Sequence, residues 1–160
     1  MSYIFDTNIF IRSKNEMPME VWPTFWAKMT EMINSGSIYS SVEVKDEINR
    51  GSDELTEWVK TNAPRNFFLL LTPEVLEKYQ DAQEWARGEA RFTDAALRDF
   101  ADVADAYLVA TAAAYGMTLV TYEESNPQAR RRVMIPDVCN ALGVRYCDFN
   151  TVLRELEITI

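Results

Sequence analysis

From Ala104 to Tyr115 nearly every position is apolar or small, with Asp105 and Thr111 the exceptions. A helix of that composition is apolar around most of its circumference and must be covered on most sides. Tyr115-Gly116 is a helix stop, since Gly takes a positive φ freely. Met117 to Thr121 then reads as a short apolar strand. A buried helix leading into a strand without alternation predicts a mainly parallel sheet between helical layers. The expected fold is a three-layer α/β/α sandwich over residues 1–160, as a single domain.

The remaining pattern fills in around that unit. Ser2 to Phe5 is an apolar strand, and Ile9 to Ile11 opens a turn or short helix. Arg12 to Pro18 is polar and reads as a loop. Trp22, Phe25, Trp26, Met29, Met32 and Ile33 recur at helical spacing, which predicts a helix over Thr24 to Asn34 with its apolar stripe in the core. Ser37 to Val42 reads as a second strand. Glu43 to Arg50 follows as a helix with Val44 and Ile48 inward and Ser40 or Ser41 as its cap. Glu54 to Thr61 is amphipathic, and Phe67 to Leu71 is a short strand or buried extended piece. Thr72-Pro73-Glu74 is a strong helix start, and that helix runs to about Arg87. Asp94 starts another helix that reads as continuous with the segment from 101 to 115. Ile135 to Leu142 is a Pro-initiated helix, Val144 to Cys147 a last strand, and Asn150 to Glu155 a terminal helix.

Charge narrows the chemistry. The chain carries 25 acidic and 16 basic residues and no His, for a net charge of −9. The absence of His excludes His-based acid–base chemistry, His-ligated metals and Ser-His-Asp triads. Net acidity argues against binding nucleic acid by bulk electrostatics, although a bound metal ion reverses the local field. Cys139 and Cys147 form no paired motif and read as free thiols of a reducing compartment. No stretch is long and apolar enough to span a membrane, and the expected location is the cytoplasm.

Acids recur where strands end and helices begin: Asp6, Glu43 or Glu47, Asp102 or Asp105, and Glu123 or Glu124. In α/β proteins the carboxyl ends of the strands are where sites form. Four acids converging there raise each other's pKa and require a compensating cation. Oxygen ligands alone select hard cations, Mg²⁺ or Mn²⁺. Such ions orient an attacking water and stabilise the leaving oxygen of a phosphodiester. Single acids also have plain structural readings: Asp6 as a helix cap, and Asp102 with Asp105 as a capping pair.

At this point the chain resembles a family. YIFDTNIFI, SSVEVKDEI and ADAYLVATAAAYGMTLVTYEE resemble the successive motifs of the PIN-domain nucleases, in order and across essentially the whole chain. The resemblance selects Asp6 with Thr7 and Asn8 from the first motif, Glu47 from Val-x-x-Glu, Asp105 from the third, and Thr121 with Glu123 from the fourth. The family usually carries Asp in that last place, and Glu123 is one methylene longer. The Ile-Pro-Asp-Val-Cys segment and the extra central helices look more like a compact prokaryotic PIN-like branch. The resemblance implies metal-dependent cleavage of single-stranded RNA by Asp6, Glu47, Asp105 and Glu123 holding Mg²⁺ or Mn²⁺. Thr7, Asn8, Asp102 and Thr121 then orient the carboxylates, and Arg130, Arg131 and Arg132 form a phosphate-gripping rim. It also implies a toxin of a toxin–antitoxin pair, with an antitoxin protein as partner and homodimers common. Two rival readings are a PIN-like binding module without catalysis and a phosphohydrolase with Asp6 as nucleophile. The second of these wants an Asp where the chain has Asn8.

Overall fold

The computed structural model describes residues 1–160. In chain order the elements are β1 (Tyr3–Phe5), α1 (Thr7–Glu16), α2 (Pro23–Ile33), β2 (Ile38–Ser41), α3 (Val42–Gly51), α4 (Glu54–Asn62) and β3 (Phe68–Leu69). They continue with α5 (Pro73–Gly88), α6 (Asp94–Asp102), α7 (Ala104–Tyr115), β4 (Thr118–Val120), α8 (Ile135–Leu142), β5 (Tyr146–Cys147) and α9 (Phe149–Glu155). The five strands form one parallel sheet in the order β3-β2-β1-β4-β5. The parallel α/β architecture read from the buried 104–121 unit is therefore the one observed.

The sheet is covered on two faces. α7 lies against β1, β2 and β4 and is itself backed by α5 and α8. Leu108, Val109, Ala110 and Ala112 are fully or almost fully buried. Small side chains on α7 let its neighbours close around most of it. Side chains alternate along a strand, and Phe5 carries the other face. Its ring meets Phe10 of α1 and Phe149 of α9, each with ring centroids 5.8 Å apart. Trp26 and Trp58 extend that layer at 5.0 Å. The aromatic stripe of α2 is core, with Phe25, Trp26, Met29, Met32 and Ile33 all buried.

Two elements differ from expectation. The stretch from Arg12 to Pro18 is not a loop up to Glu16, because α1 continues through it. Its polar residues satisfy each other on the outside, as Arg12 pairs with Glu16 at 2.7 Å. Its one inward polar residue, Ser13, donates to the Ile9 carbonyl at 2.5 Å. The expected continuous helix from Asp94 to Tyr115 is instead two helices. They meet at Val103, whose backbone is extended (φ −88°, ψ 162°). That break exposes a fresh helix N-terminus beside α3.

Candidate active site

The site is assembled at the carboxyl ends of β1 and β4. Asp6 follows β1 directly and stands at the N-cap of α1. Its side chain makes no close cap hydrogen bond, although the nearby Asn8 N–H still favours its ionised form. The carboxylate instead accepts a hydrogen bond from Thr121 Oγ1 at 3.0 Å, just beyond β4. The same Thr121 oxygen accepts from the Glu123 backbone N–H at 3.1 Å. One buried hydroxyl thus fixes two acids, and Asp6 is itself only 3% exposed.

Glu47 arrives from α3, which starts where β2 ends. Ser41 is the residue that caps this helix, accepting from the Val44 N–H at 3.3 Å. Both oxygens of Glu47 are engaged. Thr7 Oγ1 donates to one at 2.8 Å and the Ala104 backbone N–H donates to the other at 3.1 Å. The second donor is an orphan amide of the helix start created by the Val103 break. A carboxylate there also meets the positive end of the α7 dipole. α7 therefore receives its cap from a residue 57 positions away, and Val103 at its N-cap position supplies no side-chain bond.

Asp105 lies in the first turn of α7. Its carboxyl is pushed up to about 7, chiefly by burial and then by the charges of Asp6 and Glu123. Asp6 is pushed up to about 6, again by burial first and by Glu123 next. Glu123 is raised as well, by burial, against the opposing charge of Arg132. Its oxygens accept from Arg132 Nη2 at 2.9 Å and from the Ile135 N–H at the start of α8 at 3.3 Å. The extra methylene of Glu is consistent with a side chain that spans to this helix.

Of the other sequence candidates, Asn8 is exposed in the first turn of α1 and lines a cleft of about 380 Å³ with Glu47, Asp105, Arg131 and Arg132. Asp102 ends α6 as an exposed residue and lines a small surface groove with Glu43, Asp46 and Glu47. It makes no hydrogen bond or ion pair with Asp6, Asp105 or Glu123. Glu124, Arg130 and Arg131 are exposed. Only Arg132 of the basic run reaches the acids, at 2.9 Å from Glu123 and 3.7 Å from Asp105. No motif announced that pairing. Nor did the sequence single out Asp137, which is buried and accepts from Ser125 Oγ at 2.6 Å and the Asn126 N–H at 3.2 Å. It fastens the loop that follows β4 onto α8.

The donor set suits a hard cation in its chemistry: oxygens only, with buried charges that repel each other. Asp6 and Asp105 are the members least occupied by the chain's own donors, so they would be the direct ligands, with Glu47 and Glu123 behind them. As the side chains lie, no three are arranged to hold a metal ion. Both oxygens of Glu47 are turned to α1 and α7, and both of Glu123 to Arg132 and α8.

Replacing Thr121 by Val tests the shared hydroxyl. It removes the donor to Asp6 and leaves the Glu123 amide without its acceptor, a loss of roughly 1–3 kcal/mol for a buried unsatisfied group. The urea midpoint at pH 7.5 is expected to fall accordingly. The Asp6 carboxyl should titrate higher in a carbon-detected NMR series. A variant with an unchanged midpoint and an unshifted Asp6 contradicts the bridge.

A family model described as a domain of unknown function (DUF4411) matches residues 3–160. No curated protein matches the chain significantly. Among solved structures, the crystal structure of VapBC2 from Rickettsia felis bound to a DNA fragment from their promoter is similar with a TM-score of 0.53. That match has 15% sequence identity and covers 92% of this chain and 98% of that one. At that identity the likeness is one of fold, and the fold of this chain is PIN-like.

Proposed function

We propose that this chain, which belongs to the DUF4411 family, is an endoribonuclease that hydrolyses phosphodiester bonds of single-stranded RNA with the help of Mg²⁺ or Mn²⁺. One observation carries the reading. Buried Asp6 and half-buried Asp105, from different elements, meet at one sheet edge, and each is pushed far above the usual carboxylate range partly by the other acids. Such crowding is unfavourable to the fold and is a mark of sites that bind cations. When bound, a divalent cation supplies charge neutralisation and activation of water. The chain's own residues do the rest. Thr121 and Thr7 hold Asp6 and Glu47 in position, Glu123 is held against α8, and Arg131 and Arg132 border the cleft where a phosphate would enter.

The motif resemblance to PIN-domain nucleases supports RNA as the substrate and a toxin paired with an antitoxin protein as the setting. The likeness in fold to VapBC2 of Rickettsia felis is in keeping with that reading. We also propose a cytoplasmic location and self-association as a homodimer. No helix is long and apolar enough to cross a membrane.

The test is cleavage of a labelled pool of single-stranded RNAs, with and without Mn²⁺, by the wild type and by Asp105→Asn. Cutting that needs Mn²⁺ and disappears in the variant is expected. Equal cutting by the variant, or cutting unaffected by metal removal, contradicts the proposal. A second reading, a PIN-like binding module without catalysis, is favoured by the engagement of both Glu123 oxygens within the chain. It requires no metal-dependent cleavage and a melting temperature indifferent to Mn²⁺.

A further inference from the structure

We infer that Arg132 governs the affinity of this site for its cation, by occupying Asp105 and Glu123 until a cation displaces it. The inference rests on the reading that these acids hold a divalent ion. A single nitrogen, Arg132 Nη2, lies 2.9 Å from Glu123 and 3.7 Å from Asp105. It thus bridges acids from two different elements. The two carboxylates are sunk into the protein, with side chains 9% and 19% exposed, whereas the Arg132 side chain is 56% exposed. The positive charge is laid over the acids from outside. An arginine so exposed leaves by rotating its side chain into water, with no change in the core, and an exposed ion pair opposes this only weakly.

The backbone beneath Arg132 is not loose. The Thr93 N–H donates to the Arg130 carbonyl at 3.0 Å. Arg91 Nη1 donates to the carbonyls of Asn126 and Ala129, both at 2.9 Å. Asp137 holds Ser125 and Asn126 from the other side. These braces come from the segment leading into α6 and from α8, and they present one side chain of the three-arginine run to the acids. Arg130 and Arg131 make no ion pair with the four acids.

A guanidinium and a divalent ion compete here, because Arg132 takes a lone pair of Glu123 and its charge repels a cation beside Asp105. Displacing Arg132 releases one oxygen of Glu123, the other staying with the Ile135 N–H, and uncovers Asp105 in the same step. Arg132 and Arg131 line the same cleft, so the freed guanidinium stays at the mouth through which an RNA phosphate would come.

The experiment is a calorimetric titration with Mn²⁺ alone at pH 7.5, on the full chain, for the wild type, Arg132→Gln and Arg131→Gln. The Arg131 variant removes the same charge from the neighbouring position. Arg132→Gln is expected to bind Mn²⁺ at least tenfold more tightly than the wild type, with Arg131→Gln within twofold of it. Equal or weaker binding by Arg132→Gln overturns the inference while leaving the cation reading standing. Equal tightening in both variants also overturns it, by assigning the effect to net charge. If none of the three binds Mn²⁺ and all give folded circular dichroism spectra, the cation reading falls and this inference with it.

Discussion

Asp6→Asn is expected to melt at a higher temperature than the wild type at pH 7.5 and to lose metal-dependent RNA cleavage. The two effects come from one cause. Asp6 is 3% exposed and its carboxyl is pushed up to about 6 by burial and by Glu123. At pH 7.5 it is nonetheless ionised, so the fold carries a charge it resists. A rise of about two units corresponds to roughly 3 kcal/mol. Asn has the same shape without the charge. It gives up some acceptor capacity toward Thr121, an effect of about 1 kcal/mol. The balance is a gain of about 2 kcal/mol, or about 5 °C for a chain of 160 residues. Cleavage should fall by at least about 100-fold, since even residues that merely support metal ligands matter by 10- to 100-fold. Stability gained where activity is lost separates a functional acid from a structural one. A variant that melts well below the wild type would return Asp6 to the role of a structural residue.

The same crowding sets a pH dependence of stability with a definite sign. Asp6 and Asp105 have folded pKa values of about 6 and about 7, both above their ordinary value of 3.8. Between pH 4 and 7 the folded chain therefore binds more protons than the unfolded one, and stability falls as pH rises. The effect is complete by about pH 8 and vanishes below the unfolded values. The rise of Asp105 includes the charge of Asp6, so the two acids titrate as a coupled pair. Asp53, Asp148 and Glu155 pull the other way. They are held below the usual range by hydrogen bonds from Lys14, Thr151 and Arg145. Their effect lies below about pH 4 and is small, as all three lie at the surface where solvent screens them. Urea unfolding should thus show greater stability at pH 5 than at pH 7.5, and 5 mM Mn²⁺ should narrow the gap at the higher pH. The Asp6→Asn/Asp105→Asn double variant should show little difference between the two pH values. Wild-type stability that rises from pH 5 to 7.5 contradicts the account.

What could be read from the chain and what could not divide along the range of the interactions. α8 was legible over Ile135–Leu142 because Pro136 and Gly143 mark its ends locally. The buried helix and the strand after it were legible from composition and one glycine, Gly116, which does take a positive φ of 69°. The acids at the strand ends were legible because a parallel sheet gathers its carboxyl ends at one edge. The helical continuation of α1 was hidden by polar residues that face outward. The break at Val103 had no Gly or Pro to announce it. Glu47, from α3, satisfies the new helix end, and that partner exists only once the sheet is formed. Arg132 was legible as part of a basic run but not as the one member that meets the acids. Braces from Arg91, Thr93 and Asp137 make that choice. Asp102 shows the converse. Its spacing suited the site, but the chain breaks after it, so it ends α6 at the surface and shares only an outer groove with Glu47.

The measurement that bears most directly on the central claim is a cleavage time course on single-stranded RNA with wild-type protein stripped of metal by EDTA and then given back Mn²⁺, beside Asp6→Asn treated identically. The account predicts no cutting by the stripped protein, cutting on return of Mn²⁺, and none at any stage by the folded variant. Cutting by the stripped protein, or by Asp6→Asn at the wild-type rate, would contradict a carboxylate-held cation as the basis of its chemistry.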